Sequence, residues 1–234
     1  MKVVILCGGL GTRLSEETSV KPKPMVKIGK KPILQHIINI YSKYGYKEFI
    51  LALGYKGYYI KNYFKNRTEK KIKIKLVDTG KKTLTGGRLL RLKNFFKENE
   101  NFMLTYGDGI SNQNLTKLKN FHFKHKKIAT MTVVRPPVRF GEVKLKNNLV
   151  TKFEEKPQSS NSWINGGFFV FNSKIFSFIK SDKIMLERDP LEILQKKKEL
   201  LAFKHKGFWQ CMDTLREKNY LNNLYKKNKL NWLK

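Results

Sequence analysis

The segment Gly8–Arg13 has the composition of a loop that binds phosphate. It follows an apolar run that ends at Cys7. Glycines let the backbone turn tightly and present amide groups to an anion, and Arg13 adds a guanidinium suited to bidentate phosphate contact. The spacing matches neither a Walker A loop nor the dinucleotide pattern. We therefore predict an anion-binding loop, with a plain tight turn as the alternative.

Two further segments could supply a fixed cation and a carboxylate. Lys23 stands between Pro22 and Pro24, which restrict the backbone around it. Asp108 lies between two glycines directly after an apolar run, which predicts a position at the sheet edge where ligands bind in open α/β folds. A carboxylate there, with substrate phosphates, could hold Mg²⁺. The alternatives are a solvated lysine and an Asp-Gly turn.

The C-terminal part contains weaker signals for a sugar phosphate. Glu155 could accept hydrogen bonds from sugar hydroxyls, Lys156 could contact a phosphate, and the glycines of Asn165-Gly166-Gly167 leave room for a ligand. Ordinary hairpin chemistry explains these residues equally well. Asp213 precedes an amphipathic helix, so it could either cap that helix or bind a metal.

Alternating apolar strands and amphipathic helices predict the elements that position these residues. We expect strands at 2–7, 49–53, 72–77, 102–106, 129–134 and 163–171, and an antiparallel pair at 141–145 and 150–154 around Asn147-Asn148. We expect helices at 32–44, 57–64, 88–96, 115–125, 174–179, 190–196 and 213–225. The pattern predicts an α/β fold with a mostly parallel sheet, helices on both faces, and a smaller α+β C-terminal region.

Composition excludes several classes of protein. The 234 residues are 40% hydrophobic, which excludes an intrinsically disordered chain despite a formal charge of +31. The chain has no apolar stretch of membrane-spanning length and no signal-peptide pattern, so we expect a cytoplasmic protein without a membrane partner. Cys7 and Cys211 suit a reducing compartment and form no nucleophile-and-base grouping with the histidines, which argues against covalent catalysis.

The basic residues are mostly lysines spread along the whole chain. Only eight of the 49 basic residues are arginine, and no zinc-finger, RRM or basic-zipper pattern is present. We therefore expect no nucleic-acid partner. A basic nucleic-acid-binding module is a remote alternative, which would reveal itself by tight duplex binding with a steep salt dependence. A positive surface also attracts phosphorylated anions by long-range steering.

Taken in order, these motifs resemble those of the sugar-phosphate nucleotidylyltransferases. Gly8–Arg13 has the family's G-G-x-G-T-R form and Lys21–Met25 its K-P-K-P-M segment. The resemblance is greatest to the branch that uses CTP and glucose 1-phosphate, and is carried by segments 14–18, 54–58, 77–80, 85–88, 105–109, 164–170 and 207–216. It implies a Rossmann-like fold and Mg²⁺-dependent synthesis of CDP-glucose and diphosphate, on a route to O-antigen and related polysaccharides. A member that uses UTP, dTTP or GTP is the alternative.

The resemblance also implies roles for individual residues. Arg13, Lys23 and Asp108 would be catalytic, and Asp108 with Asp213 would hold the magnesium ion. The nucleotide would be bound by Leu6, Cys7, Gly8, Gly9, Leu10, Gly11, Thr12, Arg13, Lys23, Thr83, Arg88 and Gly107. The sugar phosphate would be bound by Gly141, Glu155, Lys156, Asn165 and Gly166. We expect a single domain over 1–234, with a nucleotide-binding half at 1–135 and a sugar-phosphate-binding and helical part at 136–234.

One segment departs from the family pattern. The lysine-rich link at 65–75 is short, whereas cytidylyltransferases of the family have a longer insertion that could serve subunit packing. We expect a homo-oligomer, and the short link leaves its size and the strictness for cytosine open.

Overall fold

The chain folds around one large sheet with helices on both faces. The computed structural model describes residues 1–65, 72–136, 141–154 and 162–232. Its strands are β1 (Val3–Leu6), β2 (Lys27–Ile28), β3 (Lys31–Pro32), β4 (Glu48–Leu53), β5 (Lys73–Asp78), β6 (Asn101–Tyr106), β7 (Gly109–Ser111), β8 (Ala129–Val134), β9 (Glu142–Lys146), β10 (Leu149–Glu154), β11 (Ile164–Asn172), β12 (Leu200–His205) and β13 (Trp209–Cys211). Its α-helices are α1 (Ser15–Thr18), α2 (Ile33–Lys43), α3 (Gly57–Lys65), α4 (Thr85–Leu90), α5 (Leu115–His125), α6 (Asp189–Lys196) and α7 (Leu215–Lys226). Within these ranges no helix has the length and apolar character that crossing a bilayer requires.

The large sheet has the strand order β12-β8-β11-β6-β1-β4-β5. Strands β1, β4, β5 and β6 run parallel, β12 runs parallel to β8, and β11 runs antiparallel to both of its neighbours. The predicted mostly parallel α/β fold is confirmed. Within the large sheet, β4 is the neighbour of β1 on one side and β6 is its neighbour on the other, so the strand order changes direction at β1. Open α/β sheets bind ligands at such a switch point, outside the carboxyl ends of the strands.

Alternate residues of β1 pack into two separate cores. Val3 and Ile5 belong to the core with α2, α5 and α7, whereas Val4 and Leu6 belong to the core with α4 and α6. A strand that is buried on both faces appears in the sequence as a continuous apolar run. Each such side chain stabilises the fold by about 1.5–3 kcal/mol. The loop that follows β1 therefore starts from a rigid position.

The helix predicted at 88–96 is wrong in its bounds. Helix α4 spans Thr85–Leu90, and Lys93–Phe95 forms a separate 3₁₀ turn. Gly86 and Gly87, which precede the predicted helix, lie inside α4. A Cβ at Gly87 would lie 2.4 Å from the carbonyl oxygen of Asp182, so the glycine permits close packing of the helix against that segment.

Two further predictions concern the C-terminal part. The helix predicted at 174–179 is a 3₁₀ helix over Ser173–Phe178 rather than an α-helix. The predicted antiparallel pair is confirmed as β9 and β10, with Asn147 in the turn at a φ of 53°. Strands β11 and β12 join the large sheet, so the C-terminal part extends it.

Candidate active site

A cavity of about 1040 Å³ opens at the carboxyl ends of β1 and β6. This volume is at the upper end of the range for small-molecule sites, and it suffices for two substrates. The predicted site residues that line it are Leu6, Cys7, Gly8, Gly9, Leu10, Gly11, Thr12, Arg13, Lys23, Thr83, Arg88, Gly107, Asp108, Asn165, Gly166 and Asp213. Gly141 is not among its lining residues. Glu155 and Lys156 lie outside the described residues.

The loop after β1 turns tightly and presents several of its backbone amides towards open space. Gly11 has a φ of +70°, and a Cβ there would lie 2.8 Å from Thr18 Cγ2. A Cβ on Gly9 would meet no atom within 4 Å, so space is open beside it. Among the described residues, no hydrogen bond takes up the amides of Gly9, Leu10 and Gly11. These amides are available to an anion.

Lys23 joins the two aspartates of the predicted metal site. Its Nζ lies 2.6 Å from Asp108 Oδ2 and also donates to Asp213 Oδ1. Arg13 pairs with the second oxygen of Asp213, with 2.7 Å between Nη1 and Oδ2. Lys23 is buried, which by itself would lower its pKa, but the charges and hydrogen bonds of the two aspartates raise the pKa above its ordinary value. Lys23 is therefore protonated, and in this structure its ammonium is held between the two carboxylates.

A short two-stranded ribbon places Asp213 beside Asp108. Strand β13 pairs antiparallel with β7, with Cys211 opposite Gly109, and Met212 N donates to Asp108 O at 2.9 Å. Because Asp108 directly precedes β7 and Asp213 closely follows β13, this pairing brings the two carboxylates together. The sequence contains no local signal for a contact between such distant segments.

Thr214, rather than Asp213, caps helix α7. The Thr214 side chain accepts a hydrogen bond from Glu217 N, and the Glu217 carboxylate accepts from Asp213 N at 2.7 Å and from Thr214 N at 3.0 Å. This capping box satisfies the start of the helix. The capping alternative for Asp213 is wrong by one residue, and the Asp213 carboxylate instead pairs with Arg13 and Lys23.

Asp108 and Asp213 offer the oxygen ligands that a magnesium ion prefers. Their carboxylates converge on the ammonium of Lys23, so the protein already places a positive charge between them. The described part of the chain contains no group of three or more His, Cys, Asp or Glu side chains that could hold a metal. Magnesium is commonly bound by one or two carboxylates together with substrate phosphates. The residues therefore fit a divalent ion whose coordination a nucleotide completes.

Arg88 is buried behind the glycine loop. Its Nη1 donates to Leu53 O at 3.0 Å and to Gly80 O at 2.7 Å, and its Nη2 donates to Gly8 O at 2.8 Å. A Cβ on Gly8 would lie 2.2 Å from Arg88 Cζ, so this contact requires glycine. Arg88 borders the cavity, but its hydrogen bonds here hold together the loop after β1, the end of β4 and the loop after β5.

Gly107 and Thr83 also border the cavity. Gly107 N donates to Leu6 O at 3.0 Å, and a Cβ there would lie 2.9 Å from Pro24 Cγ. Glycine at this position therefore lets the end of β6 approach both β1 and the segment that contains Lys23. Thr83 is buried at the cavity wall.

Strand β11 forms another wall of the cavity through close backbone contacts. Gly167 has a φ of +76°, and a Cβ there would lie 2.6 Å from Tyr106 Cδ2. Gly167 N donates to Asn165 Oδ1 at 2.8 Å, and Trp209 Nε1 donates to Gly166 O at 2.7 Å. These contacts fix Asn165 and Gly166, two of the residues predicted to bind the sugar phosphate.

Among the cavity residues that the sequence did not predict, Thr85, Tyr106 and Glu187 form a hydrogen-bonded group. Tyr106 OH and Thr85 Oγ1 each donate to the carboxylate of Glu187 at 2.5 Å. Burial and then the charge of Glu187 raise the pKa of Tyr106 well above its ordinary value, so its hydroxyl stays protonated. Thr85 and Tyr106 lie inside segments 85–88 and 105–109, which carry the family resemblance. Nothing in the sequence around Glu187 marked it.

The two cysteines are not activated nucleophiles. Burial raises the pKa of the Cys7 thiol far above its ordinary value and that of the Cys211 thiol to about 12. The thiolate is the nucleophilic form of cysteine. Both side chains therefore act as small protonated groups in the cavity wall.

Comparison with known proteins agrees with this geometry. The family model described as nucleotidyl transferase matches residues 2–217. The chain is 48% identical to glucose-1-phosphate cytidylyltransferase of Salmonella typhimurium, covering 99% of this chain and 98% of the relative. It is 35% identical to D-glycero-alpha-D-manno-heptose 1-phosphate guanylyltransferase of Aneurinibacillus thermoaerophilus, covering 89% of each.

Solved structures share the fold at lower identity. HddC from Yersinia pseudotuberculosis superposes with a TM-score of 0.77 at 24% identity, covering 96% of this chain and 99% of that one. UDP-glucose pyrophosphorylase from Acinetobacter baumanii superposes with a TM-score of 0.77 at 17% identity, covering 99% and 95%. The match of the family model over most of the chain, with relatives of high identity over nearly its full length, shows that the chain belongs to the nucleotidyl transferase family.

Proposed function

We propose that the chain transfers the cytidylyl group of CTP to α-D-glucose 1-phosphate, with CDP-glucose and diphosphate as products. The choice of substrates is supported by relatives named glucose-1-phosphate cytidylyltransferase, which are 48% identical over 99% of the chain. The structural observation that carries the proposal is the convergence of Arg13, Lys23, Asp108 and Asp213 beside a loop with available amides.

The proposed reaction is a direct in-line displacement at phosphorus. A phosphate oxygen of glucose 1-phosphate attacks the α-phosphorus of CTP, and a new P–O bond forms. The bond from the α-phosphorus to the bridging oxygen breaks, and its electron pair leaves with diphosphate. The thiols of Cys7 and Cys211 are protonated, which is consistent with a mechanism without a cysteine nucleophile. Positioning and charge neutralisation then supply the rate.

Each residue of the cluster has a distinct task in this reaction. The amides of Gly9–Gly11 and the guanidinium of Arg13 bind the triphosphate. Lys23 moves from the aspartates to the phosphates as the nucleotide arrives, because the phosphates offer it more negative charge. Asp108 and Asp213 would then hold Mg²⁺. When bound, magnesium supplies positive charge that offsets the charge of the phosphate oxygens.

The remaining residues divide between the two substrates. Thr83 and Gly107 are proposed to contact the nucleotide, and Arg88 to support the glycine loop. Asn165 and Gly166 are proposed to contact the sugar phosphate. The roles of Gly141, Glu155 and Lys156 stay predictions, as does the division into a nucleotide-binding half at 1–135 and a sugar-phosphate-binding part at 136–234.

The cellular setting also stays a prediction. We propose a cytoplasmic homo-oligomer that supplies CDP-glucose to the synthesis of O-antigen or a similar polysaccharide. The absence of nucleic-acid and membrane partners is part of the same prediction. Gel filtration coupled to light scattering would give the oligomeric state.

A substrate panel tests the proposed reaction. CTP, UTP, dTTP and GTP are each combined with the 1-phosphates of glucose, mannose and N-acetylglucosamine, and diphosphate release is followed. We expect CTP with glucose 1-phosphate to have the highest kcat/KM. GTP is included because a guanylyltransferase is 35% identical to this chain. A higher kcat/KM with another pair would refute the assignment of CTP or glucose.

The metal assignment has a separate test. Asp108→Asn should lower kcat by roughly 10²- to 10³-fold, the range for removing one preorganised electrostatic group. Chelation with EDTA should abolish turnover, and Mg²⁺ should restore it. Asp189→Asn, at an exposed position of α6, is the matched control and should turn over normally. Wild-type diphosphate release by Asp108→Asn with Mg²⁺ present would contradict the assignment.

A further inference from the structure

Glu187 is an acidic residue of the cavity that the proposed mechanism does not use. It lies in the cavity wall, in a chain with 49 basic and 18 acidic residues. Even so, no lysine or arginine within the described residues forms an ion pair with it. A carboxylate that faces a ligand cavity without a counter-ion is available to hydrogen-bond donors of the ligand.

Two hydroxyl groups hold this carboxylate in place. Tyr106 OH donates to Glu187 Oε1 and Thr85 Oγ1 donates to Oε2, each at 2.5 Å. A carboxylate has about four acceptor sites, and the two hydroxyls use one on each oxygen. Both oxygens of Glu187 therefore keep capacity for a further donor, while the orientation of the side chain is already set.

The backbone before Glu187 is fixed by the start of helix α4. Leu84 N donates to Asp182 O and Gly86 N to Ile184 O, each at 3.0 Å, and Leu186 N donates to Thr85 Oγ1 at 2.9 Å. Gly86 and Gly87 of α4 also pack closely against the backbone of residues 182–184, which further restricts this segment. Glu187 is thus preorganised, which favours recognition because little ordering is required on binding.

The location of Glu187 favours the sugar over the phosphates. Its partner Tyr106 packs against Gly167 of β11, the strand that also carries Asn165 and Gly166. This wall is separated from the glycine loop by the end of β6. A carboxylate repels phosphate oxygens and accepts hydrogen bonds from hydroxyl groups. The occupant next to Glu187 is therefore a neutral, hydroxyl-rich group.

We propose that Glu187 is a specificity-determining residue that accepts a hydrogen bond from a hydroxyl group of the sugar in the sugar 1-phosphate. This inference rests on the proposed function, because it assigns one contact to the same reaction. Tyr106 and Thr85 are positioning residues that orient the carboxylate. The amino group of the cytosine base is a different donor, and its involvement is an outcome that the test separates.

The test compares Glu187→Gln with the wild type on glucose 1-phosphate and on its monodeoxy analogues, each lacking one hydroxyl. Glu187→Gln keeps the shape of the side chain and removes its negative charge. We expect kcat/KM for glucose 1-phosphate to fall about ten- to hundredfold, the range for a hydrogen bond to a charged group, with KM for CTP unchanged. For one monodeoxy analogue, kcat/KM of the wild type should be far lower than for glucose 1-phosphate, whereas the variant should use the two substrates about equally. The hydroxyl that this analogue lacks is the one that Glu187 contacts.

Three results would overturn the inference. Glu187→Gln could discriminate every monodeoxy analogue as the wild type does, the loss could fall on KM for CTP, or kcat/KM could be unaltered. Glu192→Gln, at an exposed position of α6 outside the cavity, is the matched control and should behave as wild type. If Glu187→Gln does not fold, Glu187→Asp keeps the charge, shortens the reach and should show the same loss of discrimination.

Failure of the proposed function would be visible separately. The wild-type substrate panel reports whether glucose 1-phosphate is the substrate at all. If another sugar 1-phosphate is preferred, the deoxy analogues of that sugar replace those of glucose, and the comparison between Glu187→Gln and the wild type tests the same contact.

Discussion

Arg88→Ala should destabilise the fold and weaken nucleotide binding through the glycine loop. The buried guanidinium is hydrogen-bonded to the carbonyl oxygens of Gly8, Leu53 and Gly80 and to the hydroxyl of Thr79. Removing it leaves these acceptors without their donor in a space that the alanine does not fill. The sequence resemblance assigned Arg88 to direct nucleotide contact, so this variant distinguishes the two roles.

The expected magnitude follows from the acceptors that lose their partner. Leaving a buried polar group unsatisfied costs about 1–3 kcal/mol, and relaxation and water entry lower the sum for neighbouring groups. We expect Arg88→Ala to lower the free energy of unfolding by about 3–5 kcal/mol. In a chain of this size that corresponds to a fall in Tm of about 10 °C. Arg88→Lys should recover part of it, because an ammonium can donate to some of the same carbonyls.

Urea unfolding followed by circular dichroism measures this loss, and diphosphate release measures activity below the transition. Arg91→Ala is the matched control. Arg91 follows Arg88 by three residues in the sequence and pairs with Asp182 at the surface. Its loss should cost less than about 1 kcal/mol. Arg88→Ala with wild-type unfolding and only a higher KM for CTP would refute the structural role and favour direct contact with the nucleotide.

Three further predictions test the metal site, the packing of β11 against Tyr106 and a buried histidine. Without its ammonium, Lys23→Met should bind Mn²⁺ in the absence of nucleotide at least about tenfold more tightly, measured by electron paramagnetic resonance. A unit positive charge near 4 Å opposes a divalent ion by about 8 kcal/mol at an effective dielectric constant of 20, and solvent screening lowers this repulsion. Equal Mn²⁺ affinities of the variant and the wild type would refute the idea that the Lys23 ammonium and the metal ion compete for the two aspartates. Gly167→Ala should lower the free energy of unfolding, measured in urea, by about 2 kcal/mol more than Gly45→Ala. Both glycines have a positive φ, but only a Cβ at Gly167 would lie 2.6 Å from an atom of Tyr106. Equal losses would contradict the close contact. Burial lowers the pKa of His122 from 6.5 to about 4. The unfolded chain therefore takes up a proton in that pH range that the folded chain does not, so the free energy of unfolding should fall by up to about 3 kcal/mol as pH drops from 6.5 to 4. Burial also lowers the pKa values of His36, His125 and His205. His122→Asn should therefore reduce the fall in the free energy of unfolding without abolishing it, and an unchanged pH profile would contradict the role of His122.

Local sequence was enough to predict the residues that follow parallel strands. The glycine loop comes directly after β1 and Asp108 directly after β6, so each position depends only on recognising a buried apolar run and the residue that ends it. Lys23 was marked by its two prolines. These signals lie within a few residues of the side chain that they predict, and the structure brings all three to one cavity.

Features that depend on distant pairing could not be predicted in the same way. The ribbon of β7 and β13 determines that Asp213 meets Asp108, and three residues of each strand carry it. The cap of α7 shifted by one residue to Thr214, because helix boundaries are less certain than the existence of a helix. Glu187 became visible only through its partners Thr85 and Tyr106, which are far from it in the sequence.

The charge of the cavity differs from the charge of the whole chain. The described lining residues include four acids and five basic residues, whereas the chain has 18 acids and 49 basic residues. The acids are Asp108, Glu187, Asp213 and Glu217, and the basic residues are Arg13, Lys23, Lys81, Lys82 and Arg88. Two of these bases are paired with aspartates, and a third is committed to backbone carbonyls. The lysine excess therefore belongs to the outer surface, where it attracts anionic substrates from a distance. Within the cavity, Arg13, Lys23 and Arg88 each have specific partners. Neutralising surface lysines outside the cavity should therefore slow association at low salt and leave kcat unchanged.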